Sequence, residues 1–316
     1  MKGETVAQFA TGMARTTVTR TATGFRWIRR PGTDVRADPQ HQPGPVPADF
    51  TQRASAASSD HFTFAVPETW HNEAYTWNAP GPRSAAQSLL DGTPHDPDAS
   101  ARIARTYGRH LRTFHGVGIA AGTAYPAPRY PTRLADWIRT AAGTRAAPAF
   151  HSILRDGLGT QRWSKLTAYA HEATSRSGHL TVVIGWATLG SLITVDAPQA
   201  TRPVAGAALL CGPEGALAAP EVDLGCVLGE LHEIAAAHTA RDLPGRLVTT
   251  WRDALLNGYG TPLDTARTAR TAVVRIAAHA HDFAAYVGFH SELHTYVGML
   301  ADLLDDEGTQ TLARET

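Results

Sequence analysis

The sequence predicts an α+β fold in which a β-rich N-terminal part precedes a larger helical part. Three observations carry this expectation. Residues 16–30 are dense in Thr, Val, Phe, Trp and Ile, the side chains that suit a pleated strand. From residue 97 onward apolar residues recur at helical spacing instead of alternating. Strand-like runs then return only as short pieces, at 180–184 and 192–195, between helical stretches. Strands gathered first and helices gathered later are the pattern of an α+β chain.

The elements follow in order. Residues 5–15 read as a short helix, and 16–30 as two strands. Residues 34–49 form a Pro-rich loop around Asp38-Pro39-Gln40-His41-Gln42-Pro43-Gly44-Pro45-Val46-Pro47, exposed and suited to interaction. Residues 61–66 alternate as a strand. Glu73-Ala74-Tyr75-Thr76-Trp77 is another, broken by Asn78-Ala79-Pro80-Gly81-Pro82-Arg83-Ser84. Over 97–115 the apolar positions Ala101, Ile103, Ala104, Tyr107, Leu111 and Phe114 share one helical face. Residues 130–142, 150–156 and 162–175 read as further helices, as do 223–238, 243–257, 265–286 and 291–305. The expected division is 1–78 for the β-rich part and 79–316 for the helical part.

Composition narrows the function classes. A chain of 316 residues with 43% hydrophobic content can bury the core of one or two domains. Lys and Arg total 29 against 29 Asp and Glu, so there is no charge excess to attract nucleic acid or a membrane surface. No run approaches the ~20 apolar residues of a membrane span. The start, Met-Lys-Gly-Glu, carries no apolar signal run, so the expected location is cytoplasmic. Two cysteines, Cys211 and Cys226, are too few for a disulfide framework and read as small buried residues. Histidines 290 and 294 lie at i, i+4, but without a metalloprotease pattern, so they read as a polar helix face and no metal site is assigned.

Two segments carry the chemistry. The first is Ile184-Gly185-Trp186-Ala187-Thr188-Leu189-Gly190-Ser191 with Leu192-Ile193-Thr194-Val195 behind it. The second runs Leu209-Leu210-Cys211-Gly212-Pro213-Glu214 and on to Pro220-Glu221-Val222-Asp223-Leu224-Gly225. With the break at 78–84 and the helix ending Leu111-Arg112-Thr113-Phe114-His115, they resemble the aminoglycoside phosphotransferase family, a branch of the protein-kinase-like fold. The resemblance is concentrated in 180–235 and extends through 73–116. It implies two lobes, a reduced β-rich N-lobe and a helical C-lobe. It also implies a hinge at Asn78, Pro80 and Gly81 where adenine would bind.

The same resemblance puts Trp186 in the place of the catalytic Asp. Ser191 takes the place of the metal-binding Asn and Cys211 that of the metal-binding Asp. An indole offers one donor and no acceptor, so it cannot take a hydroxyl proton. A thiol is soft where magnesium prefers oxygen. The only lysines are Lys2 and Lys165, neither in the expected N-lobe strands, which leaves Arg29 or Arg30 as phosphate cations. The surviving acids are Glu214, Asp196 and Asp223. Asp223 matches the family's bracing Asp and His115 its helix-ending histidine. Glu214 stands equally as an exposed turn acid or a metal ligand.

Segments 188–193 and 212–231 further resemble the phosphotransferase-like proteins of class V lanthipeptide and thioamitide biosynthesis. There a kinase-like subunit works with a lyase to dehydrate Ser and Thr of a ribosomal precursor peptide. The expectation is therefore a pseudokinase, with no cofactor, that binds the precursor peptide, a lyase-type enzyme, or both. The alternatives are an active Ser/Thr kinase of the peptide, using ATP and Mg2+, and a small-molecule phosphotransferase of the aminoglycoside type.

Overall fold

Strands β1 (Thr5–Ala10), β2 (Ala14–Thr21) and β3 (Gly24–Pro31) form an antiparallel meander in the computed structural model. The model describes residues 3–35, 46–68, 70–71, 74–92, 97–119, 122–195 and 206–313. Val18, Phe25 and Trp27 bury one face of β2–β3 while Arg26 points to solvent, the two-residue period of a half-buried sheet. The helix expected over 5–15 is instead β1 and the start of β2. The cause is tertiary: β1 is an edge strand with little buried side chain, and its backbone groups are satisfied by the β2 ladder.

The chain then forms α1 (Ala48–Ala57), which the sequence did not announce. Phe50, Ala54 and Ala57 lie at i, i+4 and i+7 and bury one face of this helix. Residues 36–45 of the expected Pro-rich loop lie outside the described residues. After β4 (Phe62–Ala65) and β5 (Trp70–His71), β6 (Ala74–Ala79) pairs with β3, setting Trp27 opposite Trp77. The N-terminal sheet is five-stranded, in the order β1-β2-β3-β6-β5.

A second sheet stitches the two parts together. It has the order β4-β10-β9-β7 and is built from β7 (Arg83–Ser84), β9 (Leu192–Thr194) and β10 (Ala207–Leu210), with β4 parallel to β10. It therefore crosses the division expected at residue 78. Phe62 and Phe64 of β4, with Phe50 of α1, join the core of the helical part. Strands β8 (Thr181–Val183) and β11 (Ala216–Ala218) pair antiparallel and flank the loop of interest.

The rest is helical: α2 (Ala85–Leu90), α3 (Pro97–Gly116), α4 (Arg129–Thr140), α5 (Ala147–Thr174), α6 (Glu221–Thr239), α7 (Arg246–Tyr259), α8 (Thr265–Tyr286) and α9 (Glu292–Asp305). Helix α5 is broken at Gly159 (φ 68°), between the two helices expected at 150–156 and 162–175. Helices α6 and α8 approach closely because Gly225 and Gly229 lack side chains. A Cβ at Gly225 would lie 2.6 Å from Thr271 Cβ, and one at Gly229 would lie 2.8 Å from the Ala272 carbonyl oxygen. Among the described residues no helix is long and apolar enough to cross a membrane.

Buried ion pairs tie α8 to its neighbours. Arg133 on α4 grips Asp282 with two hydrogen bonds of 3.2 and 2.6 Å, and His281 adds a third at 3.0 Å. Burial alone would push the Asp282 carboxyl up. Arg133 and His281 outweigh it and hold that carboxyl well below the usual carboxylate range. Since the folded pKa is depressed, the stabilisation is complete above the unfolded value of about 3.9 and drains away as pH falls below it. Asp282→Asn leaves Arg133 buried without its countercharge and is expected to cost about 3–5 kcal/mol near neutral pH. Denaturant unfolding at a series of pH values should show the gap between variant and wild type narrowing below about pH 4.

Candidate functional site

The loop between β8 and β9 is held by two carboxylates on one face of α6. Asp223 is fully buried and accepts the backbone N–H of Ile184 (2.7 Å) and of Gly185 (2.9 Å). Glu230 accepts those of Leu189 and Gly190. The two acids lie about two helical turns apart, so a single helix grips both ends of the loop. From α3, Tyr107 donates its hydroxyl to the Ala187 carbonyl at 3.0 Å. His115 Nε2 lies 3.0 Å from Asp223, and its Nδ1 lies 3.0 Å from the Tyr259 hydroxyl. Burial pushes the Glu230 carboxyl up, opposed by Arg275 and by the Leu189 N–H.

The loop turns tightly at Gly185. Its φ is 78°, and a Cβ there would lie 2.0 Å from the Glu214 carbonyl oxygen. Only glycine fits this conformation and this approach.

Trp186 follows, half-buried, with the Arg275 guanidinium 5.3 Å from its ring and Tyr130 edge-on at 5.6 Å. Arg275 is itself buried and paired with Glu233 at 2.8 Å. Ser191 is buried, its hydroxyl accepting from Thr188 Oγ1 at 3.2 Å. Cys211 is buried too. Its thiol lies 3.4 Å from the Ala65 carbonyl, and burial followed by the nearby Asp223 charge pushes its pKa far up, so the thiolate does not form. Glu214 sits 3.9 Å from Arg129 and faces Arg29 and Arg133. Asp196 lies outside the described residues.

These groups border a cavity of about 390 Å³ between the lobes. Trp186, Ser191, Cys211, Glu214, Arg29 and Arg30 all line it. Arg29 reaches in from β3, and Arg30 is exposed at the rim. The hinge residues are not brought to it: Asn78, Pro80 and Gly81 are absent from its walls. Asn78 is exposed and bonds Glu68 instead. The Gly81 carbonyl accepts the Trp27 indole N–H at 3.0 Å. Trp77 donates its own indole N–H to the Cys211 carbonyl at 3.1 Å. Both tryptophans are buried in a cluster with Ile193, Ala208 and Leu210, and Trp77 and Leu210 of that cluster line the cavity.

At the opposite end of β3 the lobes are latched. The Gly12 N–H donates to the Tyr286 carbonyl (2.8 Å) and the Gly12 carbonyl accepts from the Asp34 N–H (3.1 Å). Arg145 pairs with Asp34 at 2.7 Å and donates to the Val287 carbonyl at 2.9 Å. The β1–β2 turn is thus fixed to the C-terminal end of α8.

Several of these residues had no reading from the sequence. Glu230 had one available signal, its seven-residue spacing from Asp223. Arg275, Arg129 and Trp27 had none, because their roles depend on which strands and helices meet.

No family model matches the sequence, and no curated protein matches it. Solved structures do. A spectinomycin phosphotransferase, solved with ADP and spectinomycin, superposes with a TM-score of 0.55 at 10% identity, over 95% of this chain and 92% of that one. The fold is that of the aminoglycoside phosphotransferases and choline kinases. A glucosamine kinase gives 0.52 at 13% identity, over 93% of this chain and 75% of its own. Choline kinase from Streptococcus pneumoniae gives 0.50 at 9%, over 95% of each chain. At such identities the likeness speaks for the fold, and the chemistry rests on the residues themselves.

The two-carboxylate grip is open to a direct test. In Asp223→Asn one amide nitrogen replaces an acceptor and faces a backbone N–H. The change is expected to destabilise the protein by about 2–4 kcal/mol, as one donor is left unsatisfied and a charge-assisted bond is lost. Denaturant unfolding measures this, and hydrogen exchange at Ile184 and Gly185 should accelerate well beyond the global change.

Proposed function

We propose that the chain is a catalytically degenerate phosphotransferase-like protein, a pseudokinase that acts by binding. One observation carries this reading: tryptophans stand at the position that the resemblance gives to the catalytic base and at the carbonyl of the glycine that it gives to the hinge. Trp27 already uses the Gly81 carbonyl and packs with Trp77 in one buried cluster. Trp186 lies against Arg275 and has no atom able to accept a hydroxyl proton.

The donor set does not fit magnesium either. The Cys211 thiol stays protonated and the Ser191 hydroxyl is neutral and buried. The carboxylates of Asp223 and Glu230 are engaged by backbone N–H groups. Among the described residues Glu214 is the one cavity carboxylate not engaged by backbone N–H groups, and Arg129, Arg29 and Arg133 lie near it. Among the described residues no group of three or more His, Cys, Asp or Glu is placed to hold a metal ion.

The partner is taken from the resemblance of segments 188–193 and 212–231 to the phosphotransferase-like proteins of lanthipeptide and thioamitide biosynthesis. It is a Ser- and Thr-bearing precursor peptide, or the lyase that acts on it, in the maturation of a ribosomal peptide product. In this reading the protein presents or positions the peptide, and another enzyme makes and breaks its bonds.

Calorimetry with Mg-ATP is expected to give no saturable heat at concentrations up to about 1 mM. Micromolar, magnesium-dependent affinity would overturn the proposal. The triple variant Trp186→Asp, Ser191→Asn, Cys211→Asp is expected to gain none. Trp27 still occupies the Gly81 carbonyl, and the new carboxylate at position 186 meets the Arg275 guanidinium and pairs with it. A precursor peptide co-expressed with this protein alone should show no added phosphate by mass spectrometry. Phosphorylated Ser or Thr there would instead establish the active kinase.

A further inference from the structure

The interlobe cavity has a volume of about 390 Å³. That lies within the usual range for small-molecule sites, roughly 300–1,000 Å³. Its charged lining is uneven. Two arginines that reach it are buried against carboxylates, Arg133 on Asp282 and Arg275 on Glu233. Arg29 is different. Among the described residues it has no carboxylate within 4 Å, and its guanidinium rests 5.5 Å from the Trp77 ring. Burial pulls its pKa down, with only the more distant Glu214 opposing. The Glu214 carboxylate also lies 3.9 Å from Arg129 and acts on Arg133. A guanidinium stays ionised under any ordinary condition, so Arg29 presents a half-desolvated charge to the cavity with no adjacent anion.

Beside it the lining includes the apolar and aromatic side chains of Phe9, Met13, Tyr75 and Trp186, while Glu214, Glu230 and His279 reach the cavity elsewhere. The latch of Gly12 on Tyr286 ties the lobes together at the end opposite the hinge. A guanidinium without an adjacent carboxylate, set beside aromatic walls, selects a compact molecule with one negative head and an apolar body.

We propose that the cavity binds such an amphipathic anion, a carboxylate, phosphate or sulfonate head seated on Arg29 and an apolar body against Phe9, Tyr75 and Trp186. The proposal rests on the pseudokinase reading only in that the chamber is free of nucleotide.

The test is a fluorescence titration of the full chain with anilinonaphthalene sulfonate and with its uncharged counterpart, phenylnaphthylamine. The sulfonate is expected to bind saturably, one per chain, and more tightly than the uncharged probe. Arg29→Met should weaken the sulfonate by about tenfold or more, one decade of affinity being the scale of a charge-assisted contact. It should leave the uncharged probe within about twofold. Arg29→Lys should recover part of the loss, and Arg26→Met, on the solvent face of β3, should change neither probe. Equal sulfonate affinity in wild type and Arg29→Met would overturn the proposal. So would a wild-type protein that does not prefer the sulfonate, which decides the matter even where Arg29→Met fails to fold. Excess Mg-ATP is expected to leave the bound sulfonate in place. Displacement by Mg-ATP would remove the pseudokinase reading while leaving an anion site at Arg29.

Discussion

The site depends on the grip of Asp223 and Glu230 on the loop between β8 and β9. A loop that turns through a positive-φ glycine and runs through the core has backbone N–H groups that water cannot reach. Left unmade, each such bond costs about 1–3 kcal/mol. Two carboxylates on one helix face satisfy four of them. Their own burial is costly, and charge-assisted bonds offset it. The same helix is drawn close to α8 by Gly225 and Gly229, so the position of Arg275 beside Trp186 is set by the same contact. Loop, helix pair and cavity wall therefore move as one unit.

On the proposed pseudokinase reading, the chain has exchanged polar chemistry for aromatic packing. A phosphotransferase cleft needs a proton acceptor, hard oxygen ligands and a free hinge carbonyl. The sequence resemblance sets Trp186 and Cys211 at the first two of those places, and Trp27 donates to the Gly81 carbonyl. Burying a large aromatic side chain is worth roughly 1.5–3 kcal/mol, so the exchange favours a stable interlobe contact over an open cleft. The cluster of Trp27 and Trp77 with Ile193 and Leu210 joins the five-stranded sheet to the strands beneath it. The latch at Gly12 joins them again at the far end. The two lobes are thus tied at both ends of β3, with the cavity between the ties.

Much of this architecture was legible in the sequence, and the reasons are local. Helical spacing placed α3, α8 and α9 within a residue or so of their observed bounds, because each buries a continuous apolar face. The Thr-, Val- and Trp-rich run marked β2 and β3 for the same kind of reason. Where a segment buries little, the signal failed. Strand β1 is an exposed edge, and its short apolar pattern read as a helix. Helix α1 follows a Pro-rich stretch whose turn residues dominated the reading.

By itself the sequence determined the α+β order of elements, and it set a tryptophan at 186 and a cysteine at 211 within the two segments that carry the family resemblance. These are properties of residue type and spacing along the chain. The tertiary structure alone decided that Trp27 faces Trp77 and takes the Gly81 carbonyl. It also decided that Arg275 lies under Trp186, and that Arg29 enters the cavity while Asn78 turns to solvent. Each of these depends on strand register and helix approach between residues about 50 or more apart in sequence, or on which face of a strand meets the other lobe. A one-residue change of register exchanges the buried and exposed faces of a strand, so such contacts are fixed only when the whole sheet and the helices beneath it have assembled.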